Sequence, residues 1–383
     1  MSHLLTEYAK SCGVKIDKPY NNPHFYPLPF DKYIVIHASS GMESKNYDYY
    51  NDVIELLKPF LDKNKIGIIQ IGGEKDIKLR WVHYALGTTK LQMQYIIQNS
   101  ELVLCNDTCS AHFASGFGKK IVALYSVLYK RNAYPYWSKD EDFIQLEADR
   151  KGKSPTFCPV EYPKTINTIK IEDVAKSVLK LLNIENNISI KTIFVGERYP
   201  QQAIEIVPNF QNNIGLSNKL LNIRLDYCEN FDFLSSWLKG NKASLVINKA
   251  FGVEKIVPFK QSIESIVLDI SDMGDAAKKQ IEDITKFGFK LIVISRNKEK
   301  TQEQRFNLFD FNVELVENKK VENVGDVYSN NFFVKTGKVI LSNSKEYVSK
   351  AHLDKDLPAN VNNSPINSPD FWDDSDYMAI FSK

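Results

Sequence analysis

The chain has 383 residues, 43% of them hydrophobic and 12% aromatic, with 49 basic against 47 acidic residues for a net charge of +2. That length exceeds one ordinary domain and that composition fills real cores, so two mixed α/β domains are expected. The charge balance excludes a global pull toward nucleic acid or an anionic membrane, leaving only local basic patches to consider.

Five scattered cysteines (Cys12, Cys105, Cys109, Cys158, Cys228) include no CxxC pair. A zinc ribbon and a dithiol redox motif are thereby excluded, and reduced thiols in a cytoplasmic protein are expected. The N-terminal MSHLLTEYAKSCG is too broken by charge for a signal peptide, and no apolar run reaches membrane-spanning length. The expectation is a soluble cytoplasmic protein with no integral membrane segment, no metal and no resident cofactor.

In chain order, residues 2–11 read as a short helix stopped by Gly13, and a Pro- and Asn-rich connector runs from Lys18 to Pro29. Residues 1–30 are therefore an N-terminal helix and linker. From Tyr33 short apolar strands alternate with helices: strand Tyr33–His37, helix Tyr49–Phe60, strand Ile66–Ile71, a helix near Lys75–Tyr84, helix Thr89–Gln98, strand Leu102–Cys105, helix 109–117 and strand Ile121–Tyr125. A helix at Ile171–Leu182 closes the unit, with Ile171, Val174, Ala175, Val178, Leu179 and Leu182 on one face. This grammar predicts a parallel, doubly wound sheet over 31–186.

The polar NIENNIS (183–189) marks a boundary, and 187–330 repeats the pattern. Strands are expected at Thr192–Val195, Ile223–Leu225, Ser244–Ile247, Ser265–Leu268 and Leu291–Ile294, with helices at Gln201–Val207, Phe231–Leu238 and Asp275–Phe287. In the remaining piece, 331–383, residues 331–350 read as a hairpin with turns at Thr336-Gly337 and Asn343-Ser344, and 356–370 as a surface tail pinned by Phe371, Trp372 and Tyr377. The fold class is thus α/β, two Rossmann-like domains facing a cleft. Open α/β sheets bind ligands beyond the carboxyl ends of their strands, so chemistry is sought in the loops there.

Three such loops stand out. In CNDTCSAHFASGFGKK (105–120), Asp107 or Thr108 could cap a helix whose first turn suits an anion, with Asn106 beside them and His112 one turn in. The spacing also fits a plain cap and a packed histidine. In HASSGMESKNY (37–47), Ser39, Ser40 and Gly41 would let backbone amides approach a phosphate and Lys45 would neutralise it; the loop is not a P-loop. In IGGEKD (71–76), Gly72-Gly73 suits a tight turn, and Glu74 or Asp76 could receive ribose hydroxyls. All three fall on one edge of one sheet.

The order of these pieces in residues 33–182 resembles the nucleotide-sugar-binding half of the heptosyltransferase-like glycosyltransferases, family 9, of GT-B fold. The resemblance rests on SSGMESKNY, IGGEKD, the helix TTKLQMQYIIQNSELVLC, NDTCSAHFASGFGKKIVALYS and the closing INTIKIEDVAKSVLKLL. It implies a sugar moved from a nucleoside diphosphate to a hydroxyl acceptor, without metal. It would place Asp107, Thr108 and His112 along the donor, Lys45 and Ser40 at the diphosphate, and Asp76 or Glu74 at the ribose. Cys109-Ser110 stands where the family has Gly-Pro. The family's acceptor half comes first in the chain, whereas here the second α/β unit follows, which implies a permuted domain order.

A general base for the acceptor is sought in that second unit. Glu197 in FVGERYPQQ ranks first, then Asp226, Asp269 and Asp272, while His352 is read as a surface histidine. LYKRNAYPYWSK (128–139) sets Lys130 and Arg131 beside Tyr129, Tyr134, Tyr136 and Trp137, a mix that could stack on a sugar or base and hold a phosphate, or simply cover the sheet edge. The Lys/Asn/Ile-rich usage suits a phage as well as a bacterium, so the acceptor partner could be a glycan or a modified DNA base. A non-catalytic nucleotide-sugar-binding protein, a structural protein with this fold and a nucleotide-sugar isomerase are the alternatives. Oligomeric state is left open.

Overall fold

The computed structural model describes residues 2–161, 164–195, 203–212, 220–296, 298–311, 313–315, 332–335, 338–359 and 377–382. The chain divides into two compact units, Met1–Thr192 with Ser382–Lys383, and Ile193–Phe381.

The first unit opens with helix α1 (Leu4–Cys12), ended by Gly13 at φ 65, where the left-handed turn favours glycine. Strands β1 (Tyr33–His37), β2 (Gly67–Gly72), β3 (His83–Leu86), β4 (Leu102–Asn106), β5 (Lys120–Tyr125) and β6 (Phe143–Glu147) follow, with helices α2 (Tyr50–Lys63), α3 (Lys90–Gln98), α4 (Cys109–Gly116), α5 (Lys130–Ala133) and α6 (Ile171–Leu181). The strands form one parallel sheet in the order β3-β2-β1-β4-β5-β6. Every residue of β1 is buried, as a central strand covered on both faces requires. On one face Tyr33, Val35, Val103 and Ile121 pack with Ile96, Ile97, Ala111 and Ala114 of α3 and α4. Helices α2 and α6 pack together, and Ile171, Val174, Ala175, Val178 and Leu179 of α6 are all buried, as the periodicity predicts. Each such aliphatic side chain contributes roughly 1.5–3 kcal/mol. Thr89 caps α3 through a capping box with Gln92.

In the second part of the chain the strands are β7 (Ile190–Val195), β8 (Ala203–Ile206), β9 (Leu220–Arg224), β10 (Ala243–Ile247), β11 (Ile263–Asp269), β12 (Leu291–Ser295), β13 (Val313–Leu315), β14 (Phe332–Lys335), β15 (Lys338–Ser342), β16 (Lys345–Tyr347) and β17 (Tyr377–Ser382). The helices are α7 (Leu234–Leu238), α8 (Ala276–Lys286), α9 (Lys298–Asn307) and α10 (Lys350–Asp354). An eight-stranded sheet runs β13-β12-β11-β10-β9-β8-β15-β16, parallel except for the β15–β16 hairpin. Trp237 of α7 anchors its core, fully buried, with its indole N–H donated to the Phe210 carbonyl at 2.9 Å. Strands β14, β17 and β7 form a separate three-stranded sheet in the order β14-β17-β7.

The α/β class with parallel sheets is as the alternation predicts. Three local expectations are corrected. The helix expected near Lys75–Tyr84 is a loop followed by β3, because Gln70 ties that loop to the sheet: its amide donates to the Ile77 carbonyl at 2.8 Å and accepts from the Leu79 N–H at 2.9 Å. The helix expected at Gln201–Val207 is, over its described residues, strand β8. Ile204 and Ile206 face a core while Glu205 faces Arg224, which is a period of two rather than 3.6. The hairpin expected over 331–350 forms only at its second turn, Asn343-Ser344, where φ is 47 and 61. Strand β14 pairs with β17 instead of β15; Thr336-Gly337, Phe371 and Trp372 lie outside the described residues. Strand β6 and helix α9 are further elements that the sequence reading does not contain.

Candidate functional site

The site follows from strand order. Strand β1 lies between β2 and β4, parallel to both, with Ile36 opposite Gln70 on one side and His37 opposite Cys105 on the other. The loops leaving β1, β2 and β4 therefore emerge side by side at the carboxyl edge, where ligands of such sheets bind.

At the β4 exit, Asp107 meets Lys45 from the β1 loop, with the ammonium 2.7 Å from the carboxylate. Both side chains are only about a tenth exposed, at 12% and 10%. The preceding Asn106 is fully buried; its carbonyl accepts from the Tyr50 hydroxyl and its amide donates to the Ala38 carbonyl, both at 2.7 Å. Asn106 was expected to line a ligand, and its side chain is instead engaged at both ends as a brace between β4, β1 and α2.

Thr108 is the N-cap residue of α4, extended at φ −141, ψ 171, yet its hydroxyl caps nothing. This corrects the expected cap. The hydroxyl lies 2.7 Å from Ser110 Oγ and 3.3 Å from His37 Nδ1, and Ser110 Oγ is 2.9 Å from the same ring nitrogen. Thr89 and Ser349, by contrast, cap α3 and α10 in the ordinary way. Burial lowers the His37 pKa from its ordinary value of 6.5, against the pull of Asp76. Burial likewise raises the Cys109 thiol, opposed by Lys90 and by the amides of Cys109 and Ser110. Those first-turn amides thus face a sulfur, a weak acceptor.

The β2 exit explains its glycines. A Cβ on Gly72 would sit 2.2 Å from Asp76 Oδ2 and 3.6 Å from His37 Cδ2, and φ there is 150. Asp76 accepts from the Gly73 N–H at 2.9 Å, so it is partly committed to its own loop, whereas Glu74 is exposed. In the β1 loop the Ser40 amide is taken by Asn46 Oδ1 at 2.7 Å, and Ser40 Oγ accepts from the Met42 N–H at 3.2 Å. Of the backbone amides expected to approach a phosphate here, that of Ser40 is engaged within its own loop. Ser39 is half-buried beside it, and Gly41 has open space around its Cα.

His112, one turn into α4, is half-buried with Nδ1 buried and without a partner. Burial lowers its pKa from 6.5; Asp107 opposes this while His3 and Lys45 add to it. Lys130 and Arg131 lie on α5 beyond β5; Lys130 approaches Glu147 at 3.6 Å and Arg131 stacks over Tyr129 at 5.1 Å. The aromatic stretch beside them is not an open platform. His3 packs on Tyr134 and Tyr136 at 4.4 and 5.0 Å, and Trp137 donates to the Asp17 carbonyl, so the N-terminal segment covers it.

Of the expected bases, Glu197 lies outside the described residues. Asp226 is held by two nitrogens of Arg224 at 2.7 and 2.6 Å, and Asp269 by Arg296 at 2.8 Å. Asp272 is exposed. His352 is buried rather than on the surface, because α10 packs on β15 and β16 and Ser349 Oγ meets its Nδ1 at 2.7 Å. Sequence reasoning missed His37, Asn46, Tyr50 and Ser110. Only His37 carried a signal, as the one polar residue ending an otherwise apolar strand. Among the described residues no group of three or more His, Cys, Asp or Glu is placed to hold a metal, and no helix is long and apolar enough to cross a membrane.

No family model and no curated protein matches the sequence. Among solved structures, a glycosyltransferase family 9 protein from Veillonella parvula is 19% identical, with a TM-score of 0.33 over 46% of this chain and 50% of its own. The E. coli ADP-heptose lps heptosyltransferase II is 16% identical, with a TM-score of 0.32 over 46% of this chain and 50% of its own. A UDP-GlcNAc 2-epimerase from Methanocaldococcus jannaschii is 11% identical, with a TM-score of 0.21 over 75% of this chain and 89% of its own. The chain spans about half the length of the two glycosyltransferases. Likeness this distant leaves the weight on the site's own residues.

Proposed function

We propose that this protein is a glycosyltransferase that moves a sugar from a nucleoside diphosphate to a hydroxyl acceptor. The observation that carries the reading is the 105–118 corner itself: Lys45 beside Asp107, the unpartnered His112 ring and the uncapped first turn of α4, gathered at one sheet edge. The resemblance of the three loops to family 9 glycosyltransferases supports it.

In this reading Lys45 and the amides of Cys109 and Ser110 receive the diphosphate. Glu74 is the freer carboxylate for the ribose, and Ser39 and Gly41 flank the sugar side. The bond from the anomeric carbon to the diphosphate oxygen breaks and leaves its electron pair on the diphosphate. The acceptor oxygen bonds to that carbon through an oxocarbenium-like state, and its proton passes to a base. Charge develops on the leaving group, where Lys45 and the α4 amides stabilise it without a metal. His112 is proposed to donate a ring N–H to the same oxygens. Lys130 and Arg131 are each engaged with protein groups and play a secondary part. Glu197 is proposed as the base, and a glycan or a modified DNA base as the acceptor.

A second reading, a nucleotide-sugar-binding protein without transfer, is favoured by one observation: Asp226 and Asp269 are both tied to arginines. Thermal-shift titration with a panel of nucleoside diphosphates and their sugars tests the site. At least one should raise the melting temperature of the wild type and not of Asp107→Ala; stabilisation by none of them would overturn both readings.

A further inference from the structure

We propose that His37 is the positioning residue of the 105–118 corner: with Ser110 it holds the Thr108 hydroxyl off the first-turn amides of α4, so that the helix cannot cap itself. The inference rests on the diphosphate reading and names what keeps that site open.

Thr108 has the extended backbone of an N-cap residue, and a threonine there ordinarily accepts from the second or third amide of its helix. Its hydroxyl is instead drawn into a closed triangle with Ser110 Oγ and His37 Nδ1, with sides of 2.7, 2.9 and 3.3 Å. His37 is fixed for this task. It ends β1, its backbone is in register with Cys105 of β4, and its side chain is buried. Strand alternation sends it to the α4 side, the face of Tyr33 and Val35. On its other side is Gly72, where an added Cβ would lie 3.6 Å from His37 Cδ2 and 2.2 Å from Asp76 Oδ2. The imidazole therefore ties the end of β1 to the corner after β4 and lies beside Gly72 at the end of β2.

The consequence is specific. Without the imidazole, the Thr108 hydroxyl is free to turn onto the Ser110 amide and close the corner. Ser110 matters in the same way: a proline at this position would bring neither the hydroxyl of the triangle nor the amide that Thr108 would otherwise capture.

Calorimetric titration with nucleoside diphosphates, together with amide exchange of Ser110, tests this on the full chain. His37→Ala should weaken the diphosphate that the wild type binds by about tenfold or more, and should slow exchange of the Ser110 amide. His37→Asn, which keeps a polar atom near the Nδ1 position, should bind within about threefold of wild type. His37→Ala/Thr108→Val, which cannot self-cap, should recover most of the lost affinity. A double variant as weak as His37→Ala, or a Ser110 amide that exchanges alike in wild type and His37→Ala, would overturn the role of His37. Failure of the wild type to bind any diphosphate would instead defeat the diphosphate reading, and the exchange measurement would still decide what His37 does to Thr108.

Discussion

The Lys45 ammonium and the Asp107 carboxylate lie 2.7 Å apart at the carboxyl edge of the first sheet, joining the loop after β1 to the corner after β4. The pair neutralises the corner without a ligand and holds the lysine where an anion would meet it. At about a tenth exposed, the pair is worth more than a surface ion pair, and loss of one partner leaves a poorly solvated charge. A double-mutant cycle with Lys45→Met and Asp107→Asn should give a coupling of about 1–2 kcal/mol in urea unfolding. Additivity within about 0.5 kcal/mol would show that the two side chains do not interact in solution.

The glycine after β2 makes a sharper steric prediction. Gly72→Ala places a methyl 2.2 Å from Asp76 Oδ2 at a φ of 150, so the Asp76 carboxylate must swing away from the Gly73 N–H and the strand end is strained. Destabilisation of about 1–3 kcal/mol is expected, with weakened diphosphate binding. Gly41→Ala, with nothing within 4 Å of the added methyl, should change stability by no more than about 0.5 kcal/mol.

Burial lowers the folded-state pKa of both His37 and His112. A group whose folded value is depressed binds more protons when unfolded. Its contribution is therefore full above the ordinary value of 6.5 and is lost as pH falls toward the folded value. The groups around His112 pull both ways, Asp107 upward and His3 and Lys45 downward; Asp76 pulls His37 upward. Urea unfolding at a series of pH values below 6.5 should show stability falling, and His37→Asn should flatten the fall. A profile identical in wild type and variant would contradict the assignment.

The buried charges of the second sheet are expected to serve stability alone. Burial pushes Glu205 upward, but Lys338 and Arg224 outweigh it and hold the carboxylate below its usual range. Arg224 meets Glu205 at 2.5 Å and stacks over Tyr227 at 3.5 Å. Arg224→Met should cost about 3–5 kcal/mol by stranding Asp226 and weakening the Glu205 cluster, with diphosphate affinity of the folded protein unchanged. A selective loss of that affinity would place the cluster in the binding function.

How much of this was legible depended on the kind of signal. The continuous apolar runs at Tyr33–His37 and Leu102–Cys105 announced buried parallel strands, and strand order then set the three loops together. Lys45 and Asp107 could be picked out by residue type in loops after strands, and His112 by its place one turn into the helix that follows. What could not be read was where each polar atom is spent. Asn106 looks like a ligand in sequence and is a brace, because Tyr50 and Ala38 reach it from 56 and 68 residues away. Thr108 looks like a cap and is turned aside by His37, which is 71 residues distant. The Lys75–Tyr84 stretch carried helix formers, and the side chain of Gln70 overrode them.

The most direct test of the central claim is turnover of a panel of nucleoside-diphosphate sugars, read as release of the nucleoside diphosphate with and without hydroxyl acceptors, including glycans and hydroxymethylated DNA. One donor should be cleaved by the wild type, with release reduced about a hundredfold or more by Lys45→Ala as the leaving group loses its cation. Tight binding of a donor with no release from it under any acceptor, or release that Lys45→Ala leaves intact, would contradict glycosyl transfer at this site.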